Sequence, residues 1–202
     1  MPDGPPIHGP EIGFARFLQT RMPDDYLFVK AADNIPTTEK EFLWSVDKPY
    51  MRHTLQFFEA ACTLENVTPC PAAILMEQGI DEALSDVRFA DYEANLFGCI
   101  ENLRAHFHNP DLPLIIKQSV NSPLASPDRM AAIRQCQQNA AIKLPKVGLV
   151  TVDDLKPYVR GHHFSSPSQL ELGRRLARIF LELIDKPRQR KNWWQLLAKQ
   201  TL

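Results

Sequence analysis

Glycine is scarce in this chain, with 8 in 202 residues, and none forms a Gly-rich turn after an apolar run of strand length. A phosphate-cradling loop is therefore not indicated. Cysteine is also sparse: Cys62, Cys70, Cys99 and Cys136 are widely spaced with no CxxC, which excludes a zinc module and a dense disulfide framework. They read as small buried hydrophobes or free thiols. Neither sign of charge prevails, since 23 Lys+Arg stand against 24 Asp+Glu for a net charge of −1. No global pull toward nucleic acid or anionic lipid is expected. No apolar run approaches the roughly 18–20 residues of a membrane span, and residues 1–9, rich in Pro and Gly, lack the basic-then-apolar pattern of a leader. A membrane span and an own export signal are thus not expected, and localisation stays open.

What is present is 44% hydrophobic and 23% charged residues, enough for one globular core plus a tail. Four apolar runs have strand length: 26–31 (YLFVKA), 72–76 (AAILM), 112–120 (LPLIIKQSV) and 147–152 (VGLVTV). Their near-continuous apolar character predicts strands buried on both faces. Between them, Met51, Leu55, Phe58 and Cys62 recur at helical spacing over 49–64, as do Tyr92, Leu96, Ile100, Leu103 and Phe107 over 91–107. Ser126-Pro127 opens a third helix, with Ser as cap and Pro in the first turn. Ser166-Pro167-Ser168-Gln169 opens a fourth with a capping-box pattern that continues through Leu172, Leu176, Ile179 and Leu183.

Strands alternating with helices predict an α/β fold, a three-layer α/β/α arrangement around a flavodoxin-like, mostly parallel sheet. In such sheets function sits at the carboxyl ends of the strands. That rule selects Asp33 and Asn34, the segment 77–82, Ser119 and Asn121, and the segment 153–163. The domain is expected over 1–186. A basic tail over 187–202 carries Trp193-Trp194 and reads as a solvated or docking segment.

Within that short list, His163 in Gly161-His162-His163-Phe164 is the candidate general base, although a structural His would look the same. Gln78 and Gly79 follow a buried strand; Gly permits a tight turn, and the Gln amide could donate to a developing oxyanion or simply cap the next turn. His106-Phe107-His108 has the look of a metal pair, but it falls at a helix end, where a His interacting with the helix C-terminus is the plainer reading. No metal or cofactor is expected. Ser119, in Gln118-Ser119-Val120-Asn121, is a candidate nucleophile by residue type alone. It lacks the preceding Gly of an exposed turn, and a strand end lining the cleft, with Asn121 and Ser122 capping the turn before Pro123, accounts for it more simply.

Taken in order, these blocks resemble the sialate O-acetylesterase and acetylxylan-esterase branch of the SGNH hydrolases. The resemblance is carried by Gly9-Pro10-Glu11, Trp44, Met76-Glu77-Gln78-Gly79-Ile80-Asp81, Ile133-Arg134-Gln135-Cys136-Gln137, and His163-Phe164 followed by Leu172-Gly173-Arg174-Arg175. It implies a Ser nucleophile activated by His, an oxyanion hole of backbone N–H, Gly and Asn/Gln groups, and deacetylation of a sugar ester through an acyl-enzyme. On that mapping His163 is the general base and Gln78 the oxyanion Gln, with Gly79, Asn34 and Ser119 as further site candidates, and the partner is an acetylated carbohydrate. The departures are equally definite. The family's Ser lies in a G-Q-S-N block ahead of Gly-Pro-Glu, which this chain does not contain; the position of the family acid three residues before the His holds Arg160, or Val159 if His162 is the match; and the position of the family Glu after Gln-Gly holds Ile80. An imidazolium would lack its usual carboxylate, for which Asp153 or Asp154 could substitute.

Three functions follow as expectations: a carbohydrate O-acetylesterase-like domain impaired by the missing Ser block, a non-catalytic relative that keeps the cleft to bind a glycan or protein partner, and an unrelated flavodoxin-like binding module. Because the family's Ser strand is central in its sheet, four parallel strands are expected here, with the first strand of the fold missing and the gap either filled by another segment or leaving the domain marginally stable.

Overall fold

In the computed structural model, residues 9–31, 48–156 and 164–185 are described. Seven helices and three strands are found among them: α1 (Glu11–Gln19), α2 (Pro49–Leu64), β1 (Ile74–Met76), α3 (Ile80–Ala83), α4 (Asp86–Ala90), α5 (Tyr92–His106), β2 (Leu114–Lys117), α6 (Pro127–Lys143), β3 (Val147–Val150) and α7 (Ser166–Asp185). The helix starts follow local chemistry. Pro49 and Pro127 occupy first turns, where a missing N–H costs nothing, and the Ser126 hydroxyl accepts from the Arg129 N–H at 3.3 Å. At α7 the cap falls one residue earlier than the sequence pattern suggests. Ser166 already lies inside the helix, and the Ser165 carbonyl accepts the Gln169 N–H at 2.8 Å.

The strands form one parallel sheet in the order β1-β2-β3, with Ile74 opposite Leu114 and Leu114 opposite Val147. Pro113, lacking an N–H, delays β2 until Leu114, although its carbonyl still accepts from the Ile74 N–H at 2.9 Å. Helices cover both faces, as an α/β fold requires. Leu114 and Ile116 point into a core built with Met51 and Leu55 of α2, Leu96 and Ile100 of α5, and Met130 and Ile133 of α6. Ile115 and Val150 point the other way, onto Phe14 and Leu18 of α1 and Leu172, Leu176 and Phe180 of α7. A tight crossing joins α1 to α7. A methyl group at Gly173 would collide with the Pro10 carbonyl, and one at Gly13 with the Leu170 carbonyl. This gives the Leu172-Gly173-Arg174-Arg175 block a packing role.

Two expectations need correction. The run 26–31 is not a strand: among the described residues it pairs with no ladder, and Leu27 and Phe28 are 46% and 36% exposed. Its aromatics pack on α1 instead, with the Phe28 ring 5.7 Å from Phe14 edge-on. A strand needs a neighbour about 4.8 Å away, and the described sheet offers this run none, so the described residues form three parallel strands where four were expected. Burial on both faces also holds only for β2 and β3. The edge strand β1 leaves Leu75 36% exposed, because α1 and α7 cover β2 and β3 but not that side of β1.

Candidate active site

The carboxyl ends of β1 and β2 meet in a buried polar knot. Gly79, just after β1, has φ 128°, a backbone conformation in which an L side chain is strained, and a Cβ there would strike the Ser119 hydroxyl. The turn it permits aims the Gln78 carbonyl at the end of β2. There Ser119 Oγ donates to Gln78 O at 2.9 Å, while the Ser119 N–H donates to Gln137 Oε1 at 2.9 Å. From α6, Gln137 Nε2 shares its two hydrogens among Gln78 O at 2.8 Å, Ser119 Oγ at 2.9 Å and Tyr92 Oη at 3.2 Å. Gln137 and Tyr92 are buried, and Ser119 is only 3% exposed. Burial pushes the Tyr92 phenol up, so it stays protonated.

Charged groups surround the knot. Lys117, the last residue of β2, interrupts an otherwise apolar strand. Its ammonium is buried against Phe164, 5.3 Å from the ring centroid, and forms an ion pair with Glu77 at the end of β1. Arg134 of α6 forms two bonds to Asp153, at 2.8 and 2.5 Å, and a third to Gln118 Oε1 at 2.9 Å. Arg175 of α7 holds Asp154 in the same way, at 2.7 and 2.5 Å, and also reaches Glu171. Hydrogen bonds from these arginines hold the Asp153 carboxyl below its ordinary range and draw Asp154 down to about 2. Nearby in α3, Glu82 is 1% exposed, and burial raises its carboxyl.

Two side-chain atoms here, Gln78 Oε1 and Gln118 Nε2, are buried with no hydrogen-bond partner among the described residues. The Gln78 Nε2 group lies 3.2 Å from Met76 Sδ. Beside the knot, a shallow depression is lined by Asn121, Ser122, Met130, Arg134, Gln135 and Gln138. Its lining mixes the apolar Met130 with amide, hydroxyl and guanidinium groups.

Of the residues selected from sequence, Gln78, Gly79 and Ser119 come together in this knot, and Asn121 borders the depression. His163 and Asn34 lie outside the described residues, as do Trp44 and the tail over 187–202. The Ser119 hydroxyl is engaged at both its donor and an acceptor position. Asp153 and Asp154, named as replacement acids, are each claimed by an arginine. The His106-Phe107-His108 segment ends α5, where His106 Nε2 stands 3.9 Å from Glu59 Oε1. Among the described residues, no group of three or more His, Cys, Asp or Glu side chains could hold a metal. Sequence reasoning missed the Lys117–Glu77 pair and the keystone position of Gln137. The signal for the first was a lysine set inside an apolar run; for the second it was the glutamine closing Ile133-Arg134-Gln135-Cys136-Gln137.

A parallel sheet covered on both faces, with polar side chains gathered at the carboxyl edge, defines an α/β domain. The chain belongs to the carbohydrate esterase family of sialic acid-specific acetylesterases, whose profile matches residues 8–182. Among solved structures it is similar to a protein from Arabidopsis thaliana, with a TM-score of 0.58 and 23% sequence identity, over 69% of this chain and 55% of that one. This chain therefore spans little more than half the length of that plant protein, and at this identity the likeness concerns the fold. No curated protein matches the chain. Among the described residues no helix is long and apolar enough to cross a membrane.

Proposed function

We propose that this carbohydrate acetylesterase-like domain takes an O-acetylated sugar at the carboxyl edge of its sheet, with His163 as general base and the Gln78-Gly79 turn as the oxyanion site. In the reaction this implies, a serine hydroxyl attacks the acetyl carbonyl and His163 takes its proton. The sugar oxygen then leaves carrying that proton, and water releases acetate from the acyl-enzyme. The observation that carries the reading is the contact between two sequence blocks 59 residues apart: Gln137 Nε2 donates to the Gln78 carbonyl at 2.8 Å, fixing the turn that would face the oxyanion.

Ser119 is assigned to that architecture and not to nucleophilic attack. A nucleophile must reach the substrate, and this hydroxyl is buried and bonded on both sides. None of the eight glycines is followed two residues later by Ser, so the 202 residues contain no Gly-x-Ser turn. Acting alone, the chain is on this reading an impaired hydrolase that binds acetylated sugar and turns it over poorly. Aryl-acetate hydrolysis by the chain beside His163→Ala tests this. A rate that is low and drops further with His163→Ala supports the assignment, and a rate indifferent to His163→Ala removes His163 from it.

A second reading, a non-catalytic glycan-binding relative, is favoured by the same locked Ser119 together with Arg160 and Ile80 at positions where the family carries acids. Binding of acetylated sugar with no hydrolysis at all would select it.

A further inference from the structure

We infer that Glu77 is a specificity-determining residue, the acceptor for a free hydroxyl on the acetylated sugar, and that buried Lys117 aims it; the inference rests on the reading that an O-acetylated sugar binds at the carboxyl edge of the sheet. Side chains alternate along β2, so Lys117 shares with Ile115 the face that α1 and α7 cover. Its ammonium is 4% exposed and lies 5.3 Å from the ring centroid of Phe164, which belongs to the core on that side. The anionic partner is Glu77, whose side chain leaves the end of β1 and is 61% exposed. Taking an ammonium out of water costs more than pairing with a solvated carboxylate returns. An apolar residue at 117 would serve the core better, and what the lysine secures is the orientation of Glu77.

The other end of that carboxylate is what a sugar would meet. Lys117 takes Oε1, and among the described residues no hydrogen bond reaches Oε2. The carboxylates after β3 differ, since Asp153 gives both oxygens to Arg134 and Asp154 both to Arg175. Glu77 also directly precedes Gln78-Gly79, the proposed oxyanion turn. A hydroxyl of the sugar would donate to Oε2 while the acetyl carbonyl faces that turn. Hydrogen bonds to a carboxylate are shorter and stronger than neutral ones, and a carboxylate already held by an ion pair loses little freedom on binding. The substrate class that fits is a partly acetylated sugar with free hydroxyls beside the ester, and a fully substituted sugar is disfavoured.

The test is a pair of NMR titrations of the full 202-residue chain, one with a methyl glycoside bearing a single O-acetyl group and one with the same glycoside after O-methylation of its remaining hydroxyls. Wild type is expected to bind the free-hydroxyl form about tenfold more tightly, the effect of one hydrogen bond to a charged group. Glu77→Ala/Lys117→Met, which strands no buried charge, should bind the two about equally. Lys117→Met alone should keep about a threefold preference, because the carboxylate remains but is no longer aimed. Dispersed amide spectra check that each variant is folded, and Glu77→Ala/Lys117→Leu replaces the first double variant if it is not. A preference undiminished in the double variant, or a wild type that binds both sugars alike, would overturn the inference. If neither sugar binds wild type, the acetylated-sugar reading falls with it; if both bind and the preference ignores Glu77, this assignment alone falls.

Discussion

Gln137 Nε2 lies 2.8 Å from the backbone oxygen of Gln78, and Gln137 Oε1 lies 2.9 Å from the Ser119 N–H, so one buried side chain on α6 ties together the ends of β1 and β2. Removing it strands the buried Ser119 N–H and takes one of two donors from the Gln78 carbonyl, whereas removing the Ser119 hydroxyl takes only a donor from that carbonyl. Gln137→Leu should therefore destabilise the chain by about 1–3 kcal/mol in urea unfolding. Ser119→Ala should cost about 1 kcal/mol or less, since Gln137 still serves the Gln78 carbonyl. Equal losses for the two changes would show that Gln137 is not the keystone.

Gly79 is the other fixed point of the knot. Its φ of 128° and the Ser119 hydroxyl at the position of a Cβ penalise any side chain. Gly79→Ala should cost about 1–3 kcal/mol, measured by denaturant midpoint. Combining it with Ser119→Gly should recover only part of the loss, by removing the collision with the Ser119 hydroxyl, while the close approach to the Ile133 methyl and the backbone strain remain.

The carboxylates bound by arginines set the response to acid. Asp154 has an ordinary value of 3.8 and is drawn down to about 2 by Arg175. Between those values the unfolded chain binds more protons than the folded one, so this contribution to stability is complete above about pH 4 and is lost as pH falls toward 2. Glu82 acts in the opposite direction. Burial raises its carboxyl, so the folded chain holds the proton longer and stability declines as pH rises through the raised value. Thermal unfolding across pH 2–8 should show Arg175→Gln flattening the acid limb and Glu82→Gln flattening the upper one.

The thiols should divide by environment. Burial pushes Cys99 up to about 12 and also raises Cys136, while Cys70 is exposed. Only thiolates attack disulfide reagents. An aromatic disulfide at pH 8 should label Cys70 first and Cys99 only on unfolding. Rapid labelling of Cys99 in the folded chain would contradict its place in the core.

Much of the fold was legible because its signals are local. The helix over 49–64 could be read from its spacing, and Ser126-Pro127 marks a helix start by its own chemistry. The run 26–31 was misread because strand propensity describes a segment that fits a sheet without supplying the neighbour it must pair with. Gln78 and Gly79 could be selected because a Gly turn after an apolar run is visible in one dimension. Gln137 and Lys117 carried a local signal but not their partners, because their roles depend on contacts across 59 and 40 residues. Asp153 and Asp154 were attractive as acids until the arginines of α6 and α7 were seen to hold them.

The central claim is that acetylated sugar binds at the carboxyl edge of the sheet and that Ser119 is not the nucleophile. The most direct measurement is amide NMR of the 202-residue chain with an O-acetylated monosaccharide and its deacetylated form, beside mass spectrometry after aryl-acetate treatment of wild type and Ser119→Ala. The expected result is stronger, saturable shifts with the acetylated sugar around Gln78, Gly79 and Asn121, and no acetyl group on Ser119. An acetyl adduct on Ser119 that disappears with Ser119→Ala, or shifts confined to surfaces away from that edge, would contradict it.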